Sequence, residues 1–403
     1  MQRHPVLGLL VLAVLGASET AFAPRAAAIP AFARRYQMSC TTCHAPFPRL
    51  KPYGEEFAGR GFRLEDASQE PARATYDTGD PLLKLYRDLP LAVRLDGWAS
   101  FNEDAPAEVD FEFPWVVKLL SGGPITDKIS YYVYGIFEDG EAIKLEDTYV
   151  QFNTLFGAPV DLMVGQFQVS DPMFKRELRL TRNDYAIYKT SIGLVPTDLT
   201  YDRGFVLSVH APGEVDVVAE AVNGNGIGPV EDGFDDGSFK NFAGRIMRPF
   251  GPVRAGVFGY YGKQKLVSVP PDITDPLVQA GRQSEFWYWG PDLVLDLHPK
   301  CQLNLQYLER RDSDPFFTGS SGDDLLTRGG FAELQFLPAG QDGRWVLTGL
   351  YNRVDSDDER AAVENASLTV NRLVARNFRL VGEGAYDLET ERTRASVGFV
   401  TAF

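Results

Sequence analysis

From residue 91 to 403 the sequence predicts an all-β fold, an antiparallel barrel of roughly 16 strands that crosses an outer membrane. Three observations carry this. Side chains alternate at period two between turn signals, which is strand periodicity. No stretch of this region approaches the roughly 18 consecutive apolar residues of a transmembrane helix. The connections between alternating segments are by turns short and long, the asymmetry of a membrane barrel.

The alternation is explicit at both ends. Leu91, Val93, Leu95 and Phe101 interleave with Arg94, Asp96, Trp98 and Ser100. Leu303, Leu305 and Tyr307 interleave with Gln302, Asn304 and Gln306, and Val397, Phe399 and Phe403 with Ser396, Gly398 and Val400. A soluble sandwich alternates in the same way, so length and connectivity decide. Segments of about ten residues are long enough to cross a bilayer at a tilt. Brief turns fall at 121–127, 156–158, 211–214, 249–251, 298–300, 337–343 and 375–377. Longer, more acidic connections fall at 102–108, 138–141, 170–203, 224–237, 263–283, 311–325, 355–360 and 388–391. An even strand count returns both ends to one side, and Phe403 closes the last strand on an aromatic residue.

Parity assigns faces. Cys301 shares the lipid face of Leu303 and Leu305, and Met163 the face of Phe167 and Val169, also read as lipid-facing. His210, His298 and Met247 take lumen parity near the short turns. The stretch 164–193 carries Lys175, Arg176, Arg179, Arg182 and Lys189 in a chain of net charge −15. It reads either as a segment folded into the lumen against an anion or as a solvated outer loop. The acidic balance argues against nucleic acid as a partner.

Ahead of the barrel, Arg3, an apolar run from Val6 to Ala17 and Ala21-Phe22-Ala23 form a secretory signal peptide over residues 1–23. Residues 24–88 follow as a second unit. It contains Cys40-Thr41-Thr42-Cys43-His44, the spacing of covalent haem c attachment. Two thiols three residues apart reach the two vinyl groups, and the adjacent histidine supplies an axial nitrogen to iron. A zinc site needs further ligands, yet residues 45–90 hold no Cys or His, and a thioredoxin-like site needs a βαβ setting that is absent. The sixth iron ligand is open among Met38, His210, Met247 and His298, or is absent. Residues 45–88, rich in Pro and Gly, are too few to bury a core of their own and must lean on the rest.

Pro30–Phe62, with Phe32-Ala33-Arg34, Ser39-Cys40, Cys43-His44, Phe47-Pro48, Leu50, Gly54, Phe57 and Gly61-Phe62, resembles the N-terminal segment of the fused outer-membrane monohaem cytochrome–porins. The iron oxidases of bacteria that live on ferrous iron are its best-known members. The barrel, above all 164–193, is similar to the phosphate-selective porins of the O/P type. The resemblance implies one haem c on Cys40 and Cys43 with His44 as proximal ligand. It implies electron transfer between an extracellular donor such as Fe(II) and a periplasmic c-type cytochrome or other carrier, an Fe(II):cytochrome c oxidoreductase activity. The N-terminal segment then acts as a lumen plug. Acidic outer clusters (Glu231-Asp232, Asp235-Asp236, Asp323-Asp324, Asp355–Glu359) suit a cationic donor. The second expectation is a solute or anion porin plugged or gated by that segment.

Overall fold

A computed structural model describes residues 31–403 apart from 72–73, 81, 84, 88–89, 104–105, 139, 229–232, 236, 238 and 320–323. The expected signal peptide, and Glu231, Asp232, Asp236 and Asp323 of the acidic clusters, lie outside the described residues.

The alternating segments form strands β1 (Leu91–Asn102), β2 (Val109–Pro124), β3 (Ile129–Glu138), β4 (Lys144–Phe152), β5 (Val160–Gln168), β6 (Tyr201–Ala211), β7 (Val215–Val222) and β8 (Asn241–Phe250). The second half adds β9 (Val253–Lys265), β10 (Gln283–His298), β11 (Cys301–Asp312), β12 (Leu325–Phe336), β13 (Trp345–Ser356), β14 (Val363–Ala375), β15 (Phe378–Asp387) and β16 (Arg392–Ala402). Each pairs antiparallel with its chain neighbours, and β1 closes on β16, so the described residues form a closed barrel with no free edge. Short and long connections alternate as expected, which gives the barrel a short-turn end and a long-loop end.

The outer face is apolar. Phe111, Phe113, Leu119, Leu145, Phe205, Ile246, Val257, Leu334 and Leu368 are all exposed. Tyr351 and Tyr386 stand toward the long loops, and Phe250, Phe336 and Phe403 at the short-turn end. In water this surface would drive aggregation; in a bilayer it is the lipid belt with its aromatic girdles. Asp96, Lys118, Asn304, Gln306, Glu333 and Thr369, on the opposite parity, are buried inside. Cys301 keeps the parity of Leu303 and Leu305.

The loop 169–200 settles the alternative left open by its sequence: it folds into the lumen. Phe174, Tyr185, Ile187, Tyr188, Val195 and Leu199 pack on Phe167, Val206, Phe258, Phe286, Leu308 and Phe331 of the wall. Met163 packs against this same cluster and pairs with Val206, so its expected lipid orientation is corrected. The parity rule assumed a polar interior, whereas here apolar side chains of the inserted loop make the interior apolar along this stretch of wall. The loop's positive charge is neutralised locally. Arg179 meets Asp184 at 2.8 Å, Arg182 meets Glu112 at 2.5 Å, and Lys175 meets Asp171 at 3.3 Å. On the far wall Arg310, 1 % exposed, grips Asp312 through two bonds of 2.7 Å and donates to the carbonyls of Thr190 and Thr197.

Candidate functional site

The Cys-x-x-Cys-His run folds as one tight unit at the short-turn mouth. Helix α1 (Ala31–Tyr36) leads to the single turn α2 (Cys40–Cys43), whose start is capped by the Ser39 hydroxyl accepting from the Thr41 amide. Positions three apart share a helix face, so Cys40 and Cys43 project together. The turn ends at His44, whose amide donates to the Cys40 carbonyl at 2.8 Å before the chain becomes extended. Helix α3 (Pro52–Gly59), opened by Pro52, then packs back on α2. Gly54 is required there, because a Cβ would meet the Cys43 carbonyl oxygen at 2.4 Å.

His44 is oriented by its own loop. Its Nδ1 lies 3.0 Å from the Pro48 carbonyl, and a carbonyl can only accept, so Nδ1 carries the proton and Nε2 keeps its lone pair. Burial holds the imidazole below its usual protonation range, against the opposing pull of the Pro48 and Arg49 backbone. Burial likewise raises both cysteine pKa values, so Cys40 and Cys43 rest as thiols. This donor set fits covalent haem: two thiols on one face and one neutral nitrogen free to bind iron. The space in front of it is a slit of about 10 Å³ between Cys40, His44 and Phe47 and the wall residues Gln341, Leu373 and Arg376.

None of the four sixth-ligand candidates lines that slit. The Met38 sulfur accepts from the Tyr53 hydroxyl at 3.8 Å. His210 is held by Asp216 at 2.7 Å, and His298 accepts from the Lys300 amide at 3.2 Å. Met247 sits on β8 opposite Asp216 and Gly256. Among the described residues no group of three or more His, Cys, Asp or Glu converges on a metal position. Among the described residues of the acidic loops, Asp235 pairs with Lys240, Asp355 with Arg353, and Asp358 with Arg360.

The whole segment is seated in the mouth. Phe32 and Phe62 stack at 4.5 Å, Phe57 closes a small aromatic core, and Phe62 rests on Tyr132 of β3 at 5.3 Å. Arg49 donates to Gln302 at 2.8 Å, and Lys51 pairs with Asp342 at 2.8 Å. Arg254 pairs with Glu55 at 3.1 Å, and Gln151 donates to the Gly59 carbonyl at 2.7 Å. Phe47 packs on Trp98, Val381 and Val400, and Arg182 stacks over Trp98 and Trp115 from above. Neither the Phe47 contact nor the Arg310–Asp312 pair follows from the sequence reading. Arg310 and Asp312 carry lumen parity, but 311–325 read as loop.

Geometrically, this is the barrel of the outer-membrane porins. An anion-selective porin from Comamonas acidovorans superimposes with a TM-score of 0.57 at 10% identity, over 78% of this chain and 99% of its own. A loop-deletion form of OmpT from Vibrio cholerae gives 0.55 at 12%, over 78% and 99%, and OprB from Pseudomonas putida 0.53 at 11%, over 78% and 94%. At such identities the likeness is one of fold. No family model matches the sequence, and no curated protein matches it.

Proposed function

We propose that this chain is a plugged porin of the outer membrane, a barrel channel whose short-turn, periplasmic mouth is stoppered by residues 31–70. One observation carries the reading: that segment is tied to opposite sides of the mouth, to Gln302 and Asp342 on one side and to Gln151 on another. The lumen loop narrows what lies above it. Planar-bilayer conductance tests the proposal. The intact protein should conduct poorly, and a variant carrying Arg49→Ala, Lys51→Ala and Gly61→Ala should open frequently. Equal, high conductance in both would overturn it.

A second reading, an electron conduit, is favoured by the fixed His44 tautomer beside two thiols on one helix face. In it Cys40 and Cys43 would hold haem c covalently and His44 would bind its iron, and the group would supply a one-electron carrier at the mouth. The chain's own part is to fix the imidazole through Pro48, to exclude water with Phe47 and Leu373, and to plug the pore. Widening the slit needs the turns bearing Gln341 and Arg376 to give way. The donor is an extracellular reductant such as Fe(II), and the acceptor a periplasmic c-type cytochrome or other carrier. Adding Fe²⁺ to intact cells should reduce the haem, and His44→Ala should abolish this with the barrel still folded. Reduction by dithionite but not by Fe²⁺ would exclude iron as the donor.

A further inference from the structure

We infer that Arg379 is the cationic part of an anion-binding position inside the barrel, just above the plug, that takes a carboxylate group. Arg379 stands near the start of β15, faces the lumen and is 4 % exposed. Its Nε has no hydrogen-bond partner, and its one side-chain bond goes to the Asn371 amide oxygen at 2.6 Å. No carboxylate among the described residues lies within ion-pair distance. Asp96, the one acid whose charge is felt at Arg379, is itself held by Arg94 through bonds of 2.9 and 2.6 Å. Other arginines directed into the barrel are neutralised: the little-exposed Arg182 by Glu112 and Arg245 by Asp292, and the buried Arg310 by Asp312.

A buried guanidinium without a counter-charge is strongly unfavourable, so a persistent one marks a place where an anion completes the structure. Guanidinium geometry matches a carboxylate, which accepts two parallel N–H bonds. The position adjoins the slit: Arg379 is the cross-strand partner of Leu373, which lines it, and of Val400, which packs on Phe47. Two sources supply such a carboxylate. One is a propionate of the haem that Cys40 and Cys43 would hold. The other is a small carboxylate solute entering the lumen. The first source rests on the haem reading above; the anion position itself does not.

The test uses full-length protein produced without haem, titrated with sodium acetate from low salt while thermal unfolding is followed. Arg379→Gln serves as the ionic-strength control. The wild-type midpoint should rise saturably relative to Arg379→Gln, and Arg379→Lys should keep part of the rise. Identical acetate responses in wild type and Arg379→Gln would overturn the proposal. Repeating the titration on haem-loaded protein separates the sources. Loss of the acetate response, together with a lower midpoint potential in Arg379→Gln, assigns the position to a propionate. A retained response assigns it to a solute. Because conductance is not the readout, an open or closed pore leaves this test untouched.

Discussion

Replacing Arg310 tests whether the lumen loop is bolted in place or merely packed. Arg310→Ala removes the partner of Asp312, itself 0 % exposed, and both bonds to the loop carbonyls of Thr190 and Thr197. Breaking a buried ion pair from one side costs about 3–5 kcal/mol, because the remaining charge stays buried. Hydrogen bonds to a charged donor are worth about 1.5–3 kcal/mol each, so the loop alone loses about 3 kcal/mol of anchoring. That corresponds to about a hundredfold rise in the population with the loop displaced. Protease cleavage within 169–200 on intact cells reads this population directly. The double variant Arg310→Met, Asp312→Leu leaves no orphaned charge, and most of the barrel's lost stability should return while the loop stays cleavable. If the single and double variants are equally stable, the buried charge is not what Arg310 balances and the reasoning fails.

Gly61 has φ +67°, and a Cβ there would lie 2.0 Å from the Ser130 hydroxyl oxygen. Gly61→Ala should therefore cost about 1–3 kcal/mol of plug docking, seen as faster proteolysis of residues 31–70 in purified protein; unchanged protection would show that the plug tolerates the shift. His44 is held neutral by burial, so a displaced segment takes up a proton more readily than the docked one. Docking strength is then full above the ordinary histidine value of about 6.5 and falls as the pH drops below it. Proteolysis between pH 8 and pH 5 should show this loss, with His44→Ala flattening it; a profile identical in His44→Ala would assign the pH dependence elsewhere. Cys301 keeps the lipid-side parity of Leu303 and Leu305, so Cys301→Ala should change stability by less than about 0.5 kcal/mol, read as the unfolding midpoint.

The strands were legible because their faces meet different solvents. Wherever lipid lies outside and polar groups inside, as from Leu303 to Tyr307, period-two alternation names each side chain's direction. Met163 shows where that logic stops. Alternation reports a contrast in polarity, and against an apolar inserted loop the contrast vanishes while the strand remains. The insertion itself was written in the sequence only as length and positive charge, which a solvated loop shares. What decides it are tertiary partners, Glu112, Glu383 and Asn352, each far away along the chain. The grouping of Cys40, Cys43 and His44 was legible because the three lie within five residues, on one helical turn and its cap. The Pro48 carbonyl that fixes the imidazole is four residues away, but its direction depends on how loop 44–51 closes. Arg379 was invisible for the opposite reason: its significance is a missing partner, which no sequence pattern displays.

The lumen is divided lengthwise. Along β5 to β13 the inserted loop meets the wall through an apolar and aromatic cluster crossed by single polar ties, Tyr188 to Gln306, Tyr185 to Glu333 and Arg310 to the Thr190 and Thr197 carbonyls. Along β14, β15 and β2 the same loop meets the wall through polar groups: Arg182 and Asn183 amides on Glu383, the Leu180 carbonyl on Asn371, and Glu177 on Lys118. That side ends below at Trp98, Val381 and Val400, where Phe47 of the plug is seated beside His44. Arg379 lies on the same strands, between the polar seam and the slit. Phe47 thus docks the N-terminal segment at the foot of the polar seam, and it brings Cys40, Cys43 and His44 to that point. The two functions proposed above, a solute gate and a haem site, would therefore share one location, and whatever unseats Phe47 should disturb either.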